Sequence, residues 1–349
     1  MADLLFDNPD VYVERLDMST RRAVTWPMDR DSYVASVFLD ERVRAKGPSS
    51  DSLTLETLGE FWRTEKPQTR PLRFVFHTAL CGSTLLSRCL DRPGKSLSLR
   101  EPFLLHQLSF IRRLNPATEK EFAVPTLVEL VCALLSRSYS PDEVVVIKAT
   151  DSCINIAQSL LDYAPGSRAL LLYQDLDRFL LGMLRDGSRR RYVRAMVDRA
   201  RTDLAALEAM QGVDTERLSD AQAAAYVWLG IVHWYRHLLA RAPDRYRSLN
   251  SGDFFESPAL VLTATQHWFE LPFEFGEVEQ ILDEGIMDRH AKHEGVVFDR
   301  RAHENLVSES AQEVRADVDE ALRWAEDNGE GCPLAGPLER DLPAGERSA

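Results

Sequence analysis

Apolar and polar residues follow one another along the chain in an order that predicts alternating strands and helices. An apolar run at residues 73–77 is followed by small residues at 78–84 and then by helical spacing of apolar residues up to position 90. Apolar runs at 144–148 and 168–173 are typical of strands buried in a parallel sheet, and the segments 127–135 and 155–163 predict helices. We therefore predict an α/β fold with a doubly wound parallel sheet flanked by helices, whose ligands bind at the carboxyl ends of strands.

Other parts of the chain predict additions to this core domain, which spans residues 71–325. Residues 1–70 alternate short apolar clusters with polar turns and predict an N-terminal appendage, with an edge strand at 22–27. Residues 179–240 are mainly helical in pattern and carry a cluster of arginines, which is either a solvated helix face or part of a helical lid that holds phosphate. Residues 326–349 are rich in glycine, proline and charge, which predicts a disordered tail.

Charge and hydropathy limit the classes of partner. The 42 Lys and Arg residues against 55 Asp and Glu give a net charge of -13, which argues against wholesale binding to nucleic acid or acidic membranes. No apolar run approaches the roughly 20 residues of a membrane span, and the first residues lack the pattern of a secretion signal. We expect a cytoplasmic protein without integral membrane association, in which any anion site is local. The oligomeric state is not indicated.

The cysteines do not form a recognisable framework. The chain has five, an odd number, and none of them shows the paired Cys-x-x-Cys spacing of a structural zinc site. We therefore expect reduced thiols and no metal ion.

The turn after the first core strand is the strongest sign of a binding site. Small residues at Cys81, Gly82, Ser83 and Thr84 let the backbone approach a ligand closely. The helix that they open points its N–H groups and the positive end of its dipole at the turn, which predicts an anionic ligand. The turn lacks the Gly-Lys-Ser/Thr ending of nucleoside-triphosphatase loops, so metal-dependent phosphoryl transfer is not the first expectation. Cys81 is either a small residue required by the tight loop or a nucleophile.

Several segments, taken in order, resemble those of PAPS-dependent sulfotransferases of the P-loop superfamily, PAPS being 3′-phosphoadenosine-5′-phosphosulfate. Residues 78–86 resemble the family's 5′-phosphosulfate loop, and residues 100–102 resemble the acidic element that often supplies the general base. Residues 146–150 and 164–172 are similar to the strand end and the lead-in to the 3′-phosphate strand. Residues 246–258 and 267–273 are similar to late segments of the family, so the resemblance runs from about 71 to 300. It implies a sheet of the P-loop type.

The resemblance also implies a reaction and a set of site residues. A sulfuryl group would pass in line from PAPS, as co-substrate, to a hydroxyl or amine of a small-molecule or peptide acceptor, without a metal. Glu101 would be the base, Lys148 would donate to the sulfonate or bridging oxygen, and His77 would be an alternative base or leaving-group donor. The residues expected to bind the co-substrate are Thr78, Cys81, Gly82, Ser83, Thr84, Leu85, Gln174, Arg178, Arg185, Arg289 and Lys292.

The chain departs from the family pattern at defined positions. Leu80 occupies the place of a Lys or Arg that contacts the bridging oxygen of the phosphosulfate. Gln174 and Gly182 replace the Arg and Ser that grip the 3′-phosphate. The resemblance implies that Arg178, Arg185 or the basic segment 289–295 would compensate.

Other interpretations remain open at this level. A kinase-like or other nucleotide-dependent transferase would find magnesium ligands in Asp151 and Asp175, but no loop lysine. A catalytically silent nucleotide-binding protein of the same fold is favoured by Leu80 and disfavoured by Glu101 and Lys148. Glu101 would then be a capping or salt-bridged carboxylate, Lys148 the polar end of a strand, and His77 a strand-end residue with its hydrogen bonds satisfied.

Overall fold

The computed structural model describes residues 4–114, 124–204, 210–288, 312–329 and 331–342. Within the chain, two compact units are distinguished: unit 1 contains residues 1–76, 84–169 and 266–278, and unit 2 contains residues 77–83, 170–265 and 279–349. These boundaries differ from the predicted ones at 70 and 325, because segments distant in sequence pack together within each unit. The predicted ligand residues Arg289 and Lys292 lie outside the described residues.

The N-terminal residues form an antiparallel sheet of their own in unit 1. Its strands are β1 (Val11–Asp17), β2 (Arg22–Pro27) and β3 (Ser50–Thr54), in the order β1-β2-β3. The prediction of an edge strand at 22–27 is therefore wrong, since β2 is paired on both sides. The polar sequence Ser-Asp-Ser-Leu-Thr of β3 has no apolar alternation that would identify it as the missing partner.

The core sheet has five strands, which confirms the predicted α/β class. They are β4 (Leu72–His77), β5 (Ser96–Arg100), β6 (Val144–Lys148), β7 (Arg168–Tyr173) and β8 (Tyr246–Asn250), in the order β5-β6-β4-β7-β8. The pairs β4–β6 and β5–β6 are parallel, and they align Lys148 with Val75 on one side and with Arg100 on the other. Nearly every residue of these strands is buried, and β4, β6 and β7 carry the mainly apolar sequences of strands inside a parallel sheet.

Helices connect the strands. Their bounds are α1 Leu4–Asp7, α2 Arg30–Ala35, α3 Leu55–Glu65, α4 Ser83–Cys89, α5 Phe103–Leu114, α6 Val124–Leu135, α7 Ala157–Tyr163, α8 Leu176–Leu184, α9 Gly187–Leu204, α10 Asp220–Arg241, α11 Ser251–Glu256, α12 Pro258–Phe269, α13 Glu277–Asp283 and α14 Arg315–Asn328. Short 3₁₀ turns occupy Asp151–Ile156 and Ile286–Asp288. None of the helices in the described part of the chain is both long and apolar enough to cross a membrane.

The arginine cluster lies on and before α9 in unit 2, where acidic side chains pair with much of it. Asp186 contacts Arg185 at 3.7 Å and Arg189 at 3.6 Å. Arg190 and Arg194 form further ion pairs with acidic residues on other helices, Asp317 at 2.5 Å and Asp220 at 2.8 Å. These pairs neutralise part of the cluster, and the helical lid stays a prediction.

The C-terminal segment is ordered where the structure describes it. Residues 331–342 are bonded to strands β7 and β8 of unit 2: Tyr173 Oη donates to Gly336 O at 2.9 Å, and Ser248 N donates to Arg340 O at 3.2 Å. Leu338 and Leu342 are buried. The prediction of a disordered tail is therefore wrong for these residues, because a few apolar anchors and backbone hydrogen bonds hold a segment whose composition is that of a disordered one.

Candidate functional site

The loop after β4 has a strained backbone. Ala79, Leu80 and Gly82 all adopt positive φ angles, of 66°, 55° and 75°. A left-handed conformation costs a non-glycine residue about 1–2 kcal/mol, so Ala79 and Leu80 are held there by their surroundings. Strain of this kind is concentrated at functional sites, and it marks the loop that the sequence singled out.

Hydrogen bonds within unit 2 hold the loop in this shape. Thr78 N donates to Leu172 O of β7 at 3.2 Å. Gln174 Nε2 donates to Ala79 O at 3.2 Å, and Ala79 N donates to His77 Nδ1 at 3.1 Å. His77 is buried and its Nδ1 acts as an acceptor, so the structure gives it a supporting contact with the loop.

The small side chains of the loop are mostly turned inward. Ser83 and Thr84 begin α4 and are buried, and Cys81 is buried with its Sγ directed at Leu172 O at 3.9 Å. Thr78 is fully buried, and its Oγ1 has no hydrogen-bond partner among the described residues. A buried hydroxyl in this state is costly unless something binds it, so Thr78 is a candidate ligand-binding group. Leu85 is buried in α4, which leaves only its backbone for a ligand.

Gly82 is required by its surroundings as well as by its backbone. A Cβ built there would lie 2.8 Å from Cζ of Phe255 and 3.8 Å from Cδ1 of Phe254, both on α11. Phe255 remains 37% exposed although it covers the loop. The sequence analysis missed this aromatic cover, because nothing in the local pattern of Phe254 and Phe255 connects them to a loop so distant in the chain.

The two departures from the family pattern at Leu80 and Gly182 are in contact. A Cβ built on Gly182 would lie 2.6 Å from Cδ1 of Leu80, so the leucine side chain occupies the space that a serine at 182 would need. Gln174, the third departure, uses its amide to hold the loop. These residues therefore form an apolar and neutral side of the loop in unit 2.

The two predicted co-substrate ligands Arg178 and Arg185 lie at different positions on and after helix α8. Arg178 is exposed on α8, and its backbone N–H donates to Asp177. Arg185 is exposed after the same helix and pairs with Asp186. The structure gives neither guanidinium a contact with loop residues 77–83.

Unit 1 contains the predicted base, Glu101, and the predicted cation, Lys148, which form an ion pair. Lys148 Nζ donates to Glu101 Oε1, while Glu101 N donates to Lys148 O at 2.7 Å. The side chain of Lys148 is 2% exposed and that of Glu101 is 19% exposed, so the carboxylate is the member of the pair that a solute can reach. The parallel register of β5 and β6 places Lys148 opposite Arg100, directly before Glu101.

Glu101 also has an unusual backbone. Its φ is 51°, again the left-handed region that non-glycine residues avoid. Arg100 on one side is buried and bonded to the N-terminal segment, and Pro102 on the other side is buried. The strain therefore aims an acidic side chain away from the end of a buried strand and onto the buried lysine.

Chemically, the arrangement offers an ionised carboxylate with one accessible side and a water-shielded ammonium behind it. In such a pair the carboxylate can accept a proton from a hydroxyl or amine, while the ammonium keeps its positive charge beside the reacting group. The aromatic residue near this ammonium, Phe38, was also missed by the sequence analysis: the pattern predicts a short helix over 32–39, but the helix ends at Ala35, and no local pattern connects Phe38 with Lys148.

Comparisons with known proteins find distant structural likenesses. No family model matches the sequence, and no curated protein matches it. Similar solved structures include a sulfotransferase domain from the curacin biosynthetic pathway, at 16% identity over 76% of this chain and 99% of that one, with a TM-score of 0.45. A second is the sulfotransferase STF9 from Mycobacterium avium, at 11% identity over 74% of this chain and 81% of that one, with a TM-score of 0.40. A third is the sulfotransferase domain of the Synechococcus PCC 7002 olefin synthase, at 13% identity over 76% of this chain and 98% of that one, with a TM-score of 0.42. At these identities and TM-scores the likenesses assign no activity to the chain.

Proposed function

We propose that the chain is a sulfotransferase that moves a sulfuryl group from PAPS to a hydroxyl or amine of a small-molecule or peptide acceptor, without a metal ion. The proposal rests on the chain's own residues. The observation that carries it is the ion pair of Glu101 and Lys148 on a strained strand end, with the carboxylate accessible and the ammonium buried. The strained loop of residues 79–82 supports it as the cradle for the 5′-phosphate.

In the proposed step the acceptor atom forms a bond to sulfur while the bond from sulfur to the 5′-phosphate oxygen breaks. Adenosine 3′,5′-bisphosphate leaves with the electron pair of that bond. Glu101 takes the proton that the acceptor loses, and its carboxylate becomes neutral. Lys148 stays at Glu101, and its positive charge stabilises the negative charge that develops on the transferring group.

A kinase-like function is less well supported by the same structure. It would need carboxylates for magnesium, and of the two predicted ones, Asp151 and Asp175, the second is engaged elsewhere in unit 2. Asp175 Oδ1 accepts hydrogen bonds from Asn250 Nδ2 at 2.7 Å and from Gly336 N at 3.0 Å. The loop residues 77–83 also contain no lysine.

We expect adenosine 3′,5′-bisphosphate to stabilise the protein against heat in the absence of magnesium, because the loop cradles phosphate through its own backbone. A ligand at a hundred times its Kd adds about 2.7 kcal/mol of stability. The measurement is a thermal-unfolding titration in a chelating buffer, with ATP and magnesium as comparator.

The outcomes separate the competing functions. Stabilisation by magnesium nucleotides alone would favour the kinase-like function over the proposed one. Tight binding of the bisphosphate, without transfer from labelled PAPS to phenols, sugars, lipids, amines or peptides, would favour a silent binding protein.

A further inference from the structure

The N-terminal segment, residues 36–42 of unit 1, is bonded to the backbone on both sides of Glu101. Leu39 N donates to Arg100 O at 2.8 Å, and Phe103 N donates to Leu39 O at 3.1 Å. The buried guanidinium of Arg100 adds a bond from its Nε to Ser36 O at 2.9 Å. Residues 36–39 are therefore held next to the candidate base by main-chain contacts and by a fully buried arginine.

This placement brings one aromatic side chain to the lysine of the pair. The Phe38 ring centroid lies 5.9 Å from Lys148 Nζ and 4.1 Å from Cζ of Arg42. Arg42 is itself fixed by Asp40, whose carboxylate accepts from Arg42 Nε at 2.8 Å and 3.0 Å. The ring is thus held between residues of its own segment and the ammonium of Lys148.

The electrostatics of the segment are coupled to the base as well. The hydrogen bond to Asp40 is the main cause that raises the pKa of Arg42, and the negative charge of Glu101 adds to it. Arg42 is therefore close enough to Glu101 for their charges to interact, although its side chain is 57% exposed.

A ring in this position has a definite physical effect on Lys148. The face of an aromatic ring attracts a cation within about 6 Å, and the attraction grows when water is excluded. Glu101 alone would leave the ammonium free to change its hydrogen bonds as the carboxylate takes up a proton. The ring offers a second attraction that does not disappear at that moment.

We propose that Phe38 is a positioning residue that holds the Lys148 ammonium at the Glu101 carboxylate, so that the N-terminal segment belongs to the catalytic machinery. The role in transfer rests on the proposed function, whereas the placement of Lys148 by Phe38 does not depend on it. Phe38 acts through Lys148 and is not itself expected to touch the reacting atoms.

The kinetic test compares Phe38→Leu with Phe38→Tyr and with Phe61→Leu. Phe61 is a matched control, since it is a half-buried phenylalanine of helix α3, outside residues 36–42, and its ring stacks on Phe6 at 5.4 Å. We expect Phe38→Leu to lower kcat about 3- to 30-fold, as the range of cation–π strengths implies, with affinity for adenosine 3′,5′-bisphosphate unchanged. Phe38→Tyr should restore most of the lost turnover, and Phe61→Leu should reduce thermal stability without reducing kcat.

A second measurement follows the ammonium directly. A lysine shielded from water exchanges its Nζ protons slowly, so we expect an ¹⁵N–¹H signal of Lys148 that is identified by its loss in Lys148→Met. The signal should persist in Phe38→Tyr and Phe61→Leu and be lost to exchange in Phe38→Leu.

Retention of both the signal and kcat in Phe38→Leu would overturn the proposal, as would the absence of the Lys148 signal from the wild-type protein. If the signal behaves as expected while no acceptor receives a sulfuryl group from PAPS, the proposed function fails and the placement of Lys148 by Phe38 stands.

Discussion

Glu101 concentrates the chemistry that the residues of unit 1 can perform. It is accessible on one side, it contacts a buried ammonium on the other, and its backbone is held in a conformation that a glutamate avoids. Conformational strain of this kind persists only where the surrounding contacts impose it. We assign the base to Glu101 rather than to His77 because the Glu101 carboxylate is accessible whereas His77 is buried.

Replacing either member of the pair should slow transfer strongly. We expect Glu101→Gln to lower kcat by about 10²–10⁴, the usual contribution of a general base. Lys148→Met should lower it by about 10²–10³, as for the loss of a preorganised donor to developing charge. Turnover with labelled PAPS, once an acceptor is found, is the measurement, and binding of adenosine 3′,5′-bisphosphate should survive in both variants.

The matched controls are Glu274→Gln and Lys95→Met, which remove an exposed pair of the same residue types at 2.6 Å in unit 1. Surface pairs contribute about 0–1 kcal/mol, so both controls should leave turnover unchanged. Full turnover in Glu101→Gln would move the base to another residue, with His77 the next to be tested. An unimpaired Lys148→Met would assign the cation elsewhere.

Gly82 and Gly94 offer a comparison of two glycines with similar backbones. Their φ angles are 75° and 73°, but a Cβ at Gly82 would strike Phe255 at 2.8 Å whereas nothing lies within 4 Å at Gly94. We therefore expect Gly82→Val to abolish binding of adenosine 3′,5′-bisphosphate, since the side chain collides with Phe255 and distorts the loop backbone that would hold the phosphate. Gly94→Val should show comparable backbone strain and unchanged affinity in a calorimetric titration. Equal affinity in Gly82→Val would show that the loop is not the binding site.

At the scale of elements, α10 supports the loop side of unit 2. Its buried Trp228 donates to Gln174 O at 2.9 Å, and Gln174 in turn holds Ala79. The helix starts with a capping box, in which Ser219 Oγ accepts from Gln222 N at 3.1 Å and Gln222 Oε1 accepts from Ser219 N at 3.1 Å. The same helix therefore carries the capping box at its N-terminus and, through Trp228 and Gln174, the support of the loop.

Ser219→Ala should lower the free energy of unfolding by about 1 kcal/mol, because it leaves an N–H group at the helix start without its acceptor. Ser219→Asn should recover most of that loss, since asparagine is also a favoured cap. Urea titration followed by circular dichroism gives both values. An equal loss in the two variants would mean that the contact of Ser219 Oγ with Glu320, at 2.7 Å, and not the cap, is the source of the stability.

For the molecule as a whole, the C-terminal segment of unit 2 covers an edge of the core sheet. Strand β8 ends the strand order, and Ser248 pairs with Asp341 in an isolated parallel bridge. Leu176 N also donates to Leu334 O at 2.9 Å. An uncovered edge strand invites pairing with other chains, so this segment contributes to solubility as well as to stability.

A chain that ends at Asn328 should therefore unfold at a temperature several degrees lower and aggregate more readily. Each lost hydrogen bond contributes about 0.5–1.5 kcal/mol, and 1 kcal/mol corresponds to roughly 2–4 °C in a domain of about 150–250 residues. Thermal unfolding and light scattering measure the two effects. A chain that ends at Leu342 is the control, and similar behaviour of the two shortened chains would show that residues 331–342 do not stabilise the sheet.

The sequence by itself determined the α/β class, the position of the loop and the two strand-end residues Glu101 and Lys148. These are local properties: β4 and β6 are apolar runs of the kind buried in a parallel sheet, Pro102 follows the end of β5, and a tight turn needs small residues. The interpretation failed where local composition contradicts the tertiary context, as in the polar strand β3 and the C-terminal segment.

Only the tertiary structure decided which of these residues meet. The contact of Glu101 with Lys148 depends on the register of β5 and β6, that of Leu80 with Gly182 on helix packing, and that of Phe38 with Lys148 on where residues 36–39 are bonded. Such contacts join residues that are far apart in sequence. No local pattern records them, because strand register and helix packing are chosen by the burial of the whole core.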